Sequence, residues 1–267
     1  MTDSKINYSS RDGVATIELN EPPANTYSYA MMRDIDAALL EARMDTSVHV
    51  VVIRGAGEKF FCAGANIAML KEATPEFKYY FCLHANETMS RFEQTPKLVI
   101  AALNGHTVGG GLEVAMAADI RIAKKDGGKI GLPEVALGVL PGTGGTQRLA
   151  RLVGKAKAME LLVSGRLMTF DEAKAMGLVT EVWDDAALGG RSFADAVQEY
   201  ARQFAPPNKA SKAVGRIKRA VQSGFEMSFG DGLALERELQ QLLFESSDAR
   251  EGIAANLEKR KPNFSGT

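Results

Sequence analysis

Two glutamates stand in surroundings unusual for an acid. Glu113 lies in Val108-Gly109-Gly110-Gly111-Leu112-Glu113-Val114-Ala115-Met116, and Glu134 in Leu132-Pro133-Glu134-Val135-Ala136-Leu137. Acidic side chains belong mainly on solvated faces. A carboxyl set among apolar groups holds its proton more tightly, and a second carboxylate nearby strengthens that effect. Such a pair can share a water and shuttle a proton at neutral pH. Three consecutive glycines before Glu113 expose backbone N–H groups and allow close approach. At a helix start those amides also carry the positive end of the helix dipole. They are suited to polarising a carbonyl beside the two acids.

Other chemistries lack their residues. The three histidines, His49, His84 and His106, have no metal-ligand spacing, and no H-E-x-x-H is present. No G-x-S-x-G elbow supports a serine nucleophile. Gly142-Thr143-Gly144-Gly145 does not complete a G-x-G-x-x-G, because Gln147 takes the last place. Gly154-Lys155-Ala156 lacks the upstream glycine and the Ser/Thr of a P-loop.

The elements that must position the glutamates can be read from patterning. Leu98 to Leu103 is an apolar run expected as a buried strand, and Leu112 to Ala118 reads as a helix. Val14 to Leu19 and Val48 to Ile53 read as strands, with a helix between them capped by Ser28 and running to about Arg43. Phe60 to Ile67 reads as an apolar turn centred on Gly64, and Glu76 to Gln94 as a long helix with aromatics on one side. Asp119 to Ala123 reads as a strand, followed by a hairpin signal over Lys124 to Lys129. Gln147 to Leu162 reads as helix, Thr169 to Glu172 as a capping-box start, and Gly177 to Trp183 as the last strand. Alternating strands and helices give an α/β class. From about Phe193 the chain reads as helices only, broken at Pro206-Pro207 and near Gly224. The expected organisation is a mixed core over residues 1–190 and a helical region over 191–267.

Composition sets the remaining bounds. A formal net charge of −1 gives no global field to draw the chain to nucleic acid or membrane, so an anionic ligand must be held by local groups. Cys62 and Cys82 are too few for a disulfide framework and form no C-x-x-C. No run approaches the ~20 apolar residues of a membrane span. Met1 to Lys5 lacks the apolar core of a leader. A soluble protein of the cytoplasm is the expectation.

Taken together, four segments resemble the crotonase superfamily, and most closely its enoyl-CoA hydratases. They are Phe61-Cys62-Ala63-Gly64-Ala65-Asn66-Ile67, Asn104-Gly105-His106 through Glu113, Leu132 through Gly138, and Pro141-Gly142-Thr143-Gly144-Gly145-Thr146-Gln147-Arg148-Leu149. Asp248-Ala249-Arg250-Glu251-Gly252 and Glu258-Lys259-Arg260-Lys261-Pro262 extend the match to the C-terminus. Each is weak alone; their order and spacing are specific.

The resemblance implies a spiral of ββα turns with a C-terminal helical trimerisation region, assembled as a homotrimer or a hexamer of paired trimers. It implies reversible syn addition of water to a 2-enoyl-CoA in acyl-CoA (fatty acid) metabolism. The amides of Ala65 and Gly110 would form the oxyanion hole. Glu113 would activate water for attack at Cβ, Glu134 would protonate Cα, and the Gly142 amide would help position the water. Ala24, Ala63, Ala65 and Ile67 would contact the CoA part, and Lys59 and Lys259 would neutralise phosphates. No metal or redox cofactor is implied, CoA being part of the substrate. Asn66 stands where the family commonly has Asp, Ala68 where a basic residue is frequent, and Asn256 where Phe is common. Having both glutamates favours hydration over isomerisation, for which one acid suffices.

Other readings differ in what they require. An isomerase or another acyl-CoA thioester enzyme of the same fold would use the same oxyanion segments. A non-catalytic RNA- or protein-binding protein would draw on the basic run Lys209, Lys212, Arg216, Lys218 and Arg219, otherwise a solvated helix face. Such a module has no use for two glutamates, so no nucleic-acid partner is expected. The acyl pocket is expected from Thr26–Met31, Met69–Phe81 and the helical tail, with Phe77, Tyr80, Phe81 and His84 as core and pocket wall. Cys62 reads as a small buried apolar residue, and His106 as a loop histidine.

Overall fold

Two sheets share the chain turn by turn in the computed structural model, which describes residues 4–267. Met1–Asp3, within the stretch read above for a leader, lie outside the described residues. Strands β1 (Ile6–Arg11) and β2 (Val14–Leu19) form an antiparallel hairpin through Asp12 and Gly13, both at positive φ as a tight two-residue turn demands. Helix α1 (Tyr29–Met44) begins where the Ser28 side chain accepts the Met31 amide. Strand β3 (Val50–Gly55) then pairs parallel with β2.

From there the chain repeats one pattern. It gives a strand to the large sheet, a short strand to the small sheet, and then helix. β3 is followed by β4 (Phe60–Cys62), α2 (Ile67–Glu72) and α3 (Pro75–Gln94). β5 (Leu98–Leu103) is followed by β6 (His106–Val108) and α4 (Gly110–Met116). β7 (Ile120–Lys124) is followed by β8 (Ile130–Gly131), a single 3-10 turn Glu134–Leu137, α5 (Gly145–Val153) and α6 (Lys155–Ser164). Helix α7 (Phe170–Ala175), with the expected capping box of Thr169 and Glu172, returns to β9 (Glu181–Trp183). The large sheet runs β1-β2-β3-β5-β7-β9 and the small one β4-β6-β8, with every pair after the first hairpin parallel. This is the crotonase-like spiral of ββα turns. The remaining helices are α8 (Asp185–Leu188), α9 (Phe193–Arg202), α10 (Ser211–Gly224), α11 (Phe229–Phe244) and α12 (Ser247–Leu257).

The central strands β3 and β5 of the large sheet are buried on both faces, which is why they read as apolar runs. Val51, Ile53, Val99, Ala101 and Leu103 face the main core with α1, α3 and α4. Their neighbours Val50, Val52, Leu98, Ile100 and Ala102 face α9 through Phe193, Val197 and Ala201.

Four segments depart from the sequence reading, the first being Ile6–Arg11, which it left without an element and which forms β1. Lys124 to Lys129 turns at Asp126 (φ 57) but makes no hairpin, because β7 and β8 belong to different sheets. Gln147 to Leu162 is two helices, broken at Gly154 with φ +83. Phe60 to Ile67 is a strand of three residues and a helix start, both too short for periodicity to show.

Candidate active site

Helix α4 starts where β6 ends. Gly109 (φ 57, ψ −132) makes the turn in a conformation that needs glycine. Gly111 then lies so close to β4 that a β-carbon there would sit 2.1 Å from the Cys62 carbonyl oxygen. The small sheet thereby fixes the axis of α4 and carries Glu113 inward, to 2% exposure.

Glu113 Oε1 accepts the amides of Thr143 (2.8 Å) and Gly145 (2.7 Å), and Oε2 accepts the Thr143 hydroxyl. The Pro141–Thr146 turn thus wraps the carboxylate. Gly145 is required there, since a β-carbon would come 2.9 Å from Glu113 Oε1.

Glu134 enters from the 3-10 turn. Its Oε2 is buried with no hydrogen-bond partner among the described residues. Burial first, and then the Glu113 charge, push its carboxyl up to about 7, against the opposing pull of its own amide and of Lys78. Near neutral pH it can therefore give or take a proton. An unpaired polar atom aimed into a cavity waits for a ligand.

Two free amides complete the arrangement. The Tyr27 amide donates to the Gly64 carbonyl (3.0 Å), and the Asn66 amide to the Tyr27 carbonyl (2.9 Å). Ala65, between them in this parallel bridge, turns its own N–H the other way. Gly110 is the first residue of α4, whose amide has no intrahelical acceptor. Among the described residues neither amide, nor that of Gly142, donates to a protein group. A β-carbon on Gly64 would lie 3.1 Å from the Gly110 nitrogen, so the two segments touch.

Both glutamates, Ala65, Gly110, Gly142, Tyr27 and Thr143 line one cavity of about 250 Å³. Of the residues named from the sequence, Ala63, Ala65, Ile67, Gly110, Glu113, Glu134 and Gly142 line this cavity together. Ala24 stands behind this wall, its carbonyl accepting the Ala63 amide at 3.0 Å. Lys59 and Lys259 are exposed and do not line the cavity. The rest of the wall is apolar: Leu70, Val108, Pro133, Ala136, Leu137, Val139 and Leu140. The stretch 133–143 therefore supplies the wall that was expected from the helical tail. Of the aromatic helix α3 only Lys78 reaches the cavity; Phe81 is buried behind Tyr27, with their rings 5.7 Å apart. His106, read as a loop histidine, begins β6 instead, and its Nδ1 accepts the Lys129 amide. Cys62 is fully buried. No cluster of three His, Cys, Asp or Glu side chains suited to a metal exists among the described residues, and no helix among them is long and apolar enough to cross a membrane.

Sequence reasoning gave no role to the side chains of Tyr27 and Thr143, although it named the stretches Thr26–Met31 and Pro141–Leu149 that contain them. Their signal was a hydroxyl inside a glycine turn and a tyrosine after Asn25-Thr26, neither of which announces a partner more than a hundred positions away.

The sequence profile of the enoyl-CoA hydratase/isomerase family matches residues 9–267. The chain belongs to this family. A probable enoyl-CoA hydratase of Bacillus subtilis (strain 168) is 39% identical over 260 residues, which is 95% of each chain. The short-chain-enoyl-CoA hydratase of Clostridium acetobutylicum is 37% identical over 249 residues, 93% of this chain and 92% of that one. A crystal structure of an enoyl-CoA hydratase from Geobacillus kaustophilus HTA426 superposes with a TM-score of 0.94 at 43% identity, covering 100% of this chain and 98% of the other. The enoyl-CoA hydratase/isomerase family is thus matched along both sheets and the C-terminal helices alike.

Proposed function

We propose that this chain is an enoyl-CoA hydratase, adding water reversibly across the double bond of a 2-enoyl-CoA. One observation carries the reading: two carboxyl groups, Glu113 held by three donors and Glu134 with a buried unpartnered oxygen, face one cavity beside two unpaired amides. The thioester oxygen accepts from the Ala65 and Gly110 N–H groups, which stabilise the enolate as charge develops there. A water lies between Glu113 and Glu134, oriented by the Gly142 amide. Glu113 takes one proton from the water as its oxygen bonds to Cβ. Glu134, which burial keeps protonated up to about pH 7, gives its proton to Cα. Both new bonds form on the same face. Transfer of the proton from Glu113 back to Glu134 through solvent restores the starting state.

Relatives named as hydratases support this reading, including the short-chain enzyme of Clostridium acetobutylicum. We place the CoA part along Ala63 and Ile67, and assembly as a trimer or a pair of trimers on the exposed apolar residues Ile217, Val221, Phe225 and Phe229. The nucleic-acid alternative loses support, because Lys218 is turned inward rather than presented on a basic face.

The test is loss of the conjugated-thioester absorbance of crotonyl-CoA by wild type, Glu113→Gln and Glu134→Gln. Turnover by wild type, falling about 10²–10⁴-fold in each variant, is expected. Activity retained in Glu113→Gln toward a 3-enoyl-CoA alone would favour isomerisation. A wild type inert on short, branched and medium enoyl-CoAs would overturn the hydratase reading.

A further inference from the structure

Tyr27 stands where the parts of the site meet. It is 2% exposed and is tied to each of them. Its main chain brackets Ala65, accepting the Asn66 amide and donating to Gly64, and so sets the direction of the Ala65 N–H. Its side chain ends against the start of α4, where a β-carbon on Gly110 would lie 2.2 Å from the phenol oxygen. Its hydroxyl is 3.2 Å from Thr143 Oγ1, which in turn bonds Glu113 Oε2.

The direction of this chain follows from proton count. Thr143 has one hydroxyl proton, and Glu113 Oε2 takes it. Thr143 Oγ1 can then only accept from Tyr27, so Tyr27 donates. Burial, and after it the Glu113 charge, hold the Tyr27 phenol well above its ordinary value, so it remains a donor across the working range.

The last torsion of a carboxylate side chain is intrinsically broad, so the donors around it set its plane. Two amides hold Oε1 of Glu113 and the Thr143 hydroxyl holds Oε2, so the plane is held at both oxygens. We propose that Tyr27 is a positioning residue for the hydration: through Thr143 it fixes the rotation of the Glu113 carboxylate, while its backbone aims the Ala65 amide. Base and oxyanion donors are kept in register by one residue, across 116 positions of sequence to Thr143. This rests on the hydratase reading above.

The experiment compares wild type with Tyr27→Phe, Thr143→Val, Thr143→Ser and the double variant Tyr27→Phe/Thr143→Val on crotonyl-CoA, with melting temperatures alongside. Tyr27→Phe keeps the ring and the backbone bonds and removes only the donor. We expect its kcat to fall about tenfold or more while KM moves less than about threefold, since orientation of the base matters in the transition state rather than in binding. Thr143→Val should fall at least as far, Thr143→Ser should recover most of that loss, and the double variant should be no worse than Thr143→Val alone. A Tyr27→Phe protein with wild-type kcat, or losses that multiply in the double variant, would overturn the proposal. A Tyr27→Phe protein that melts early yet keeps its kcat would show a purely structural role and also overturn it. Should Tyr27→Phe fail to fold, Thr143→Val against Thr143→Ser reads the same hydroxyl chain. A wild type with no turnover is a separate result, which removes the hydratase reading itself.

Discussion

A β-carbon on Gly109 would lie 3.0 Å from Glu134 Oε1. The acid enters the site against the one residue of the β6–α4 turn that has no side chain to obstruct it. Gly109 also holds φ 57 with ψ −132, where an L-residue is strained. Gly109→Ala should therefore displace Glu134 and cost about 1–3 kcal/mol of stability. We expect turnover to fall more than about tenfold, measured beside a denaturant melt. Full activity at reduced stability would mean that Glu134 does not depend on this contact.

The pH dependence follows from Glu134. Its carboxyl is raised from 4.5 to about 7, foremost by burial, so the protonated form prevails below pH 7 in the folded protein. Hydration, which uses Glu134 as an acid, should lose kcat/KM as pH rises through about 7; dehydration of the 3-hydroxyacyl-CoA should gain it over the same range. Lys78 favours the ionised form, so Lys78→Met should move the midpoint upward. The contribution of Glu134 to stability has the matching sign: the folded state holds this proton more tightly, so that contribution is fully present below the ordinary carboxyl range and is lost as pH rises through about 7. Glu134→Gln should flatten that decline in urea melts taken at a series of pH values. An unchanged slope would contradict the burial assigned to Glu134.

How much of the site was legible depends on the distance between partners. Glu113 announces itself because strand, glycine triplet and helix are contiguous, and each has a local reason to be there. Glu134 shows as an acid among apolar residues for the same reason. Thr143 does not, since its partner is 30 positions away and only the folded turn brings them together. The central strands β3 and β5 read plainly because both faces are apolar, whereas β1, an exposed edge strand of mostly polar residues, did not show. β4 and β8, with three and two residues, carry no period at all and exist only through their parallel pairing with β6. Leu137, Val139 and Leu140 were given no part in the acyl pocket, because the direction they face is set by the 3-10 turn and not by composition.

The two thiols should separate cleanly. Cys62 is fully buried and its thiol is pushed up to about 12, chiefly by burial. Cys82 is half-buried. Alkylation of the native protein at pH 8 should label Cys82 alone, while denaturant should admit a second equivalent at Cys62. Mass spectrometry of the labelled peptides decides it, and native labelling of Cys62 would mean that β4 opens readily.

The basic stretch of α10 yields the last prediction, because one of its members is not on the surface. Lys218 Nζ donates to the Phe92 carbonyl (2.7 Å) and the Lys97 carbonyl (3.1 Å) and pairs with Asp119 Oδ2 at 2.8 Å. Asp119 in turn accepts the Val99 amide at 2.7 Å and the Gln222 side chain at 3.2 Å. One ammonium therefore ties the C-terminal helices to the end of α3 and the start of β5, with all three of its protons used. Removing it takes one donor from the Asp119 carboxylate and from each of two carbonyls, at a site where the Lys218 side chain is 3% and the Asp119 side chain 12% exposed. Lys218→Met should destabilise the fold by about 3–5 kcal/mol. Replacing Asp119 with Leu in the same chain should recover part of this loss, since the uncompensated charge is then gone, although the Val99 amide stays unpaired. Neither residue lines the cavity, so turnover per folded molecule should remain that of wild type. Urea denaturation with activity measured below the transition checks both statements. A Lys218→Met protein as stable as wild type would mean that water reaches Asp119 and that the pair contributes as little as an exposed one.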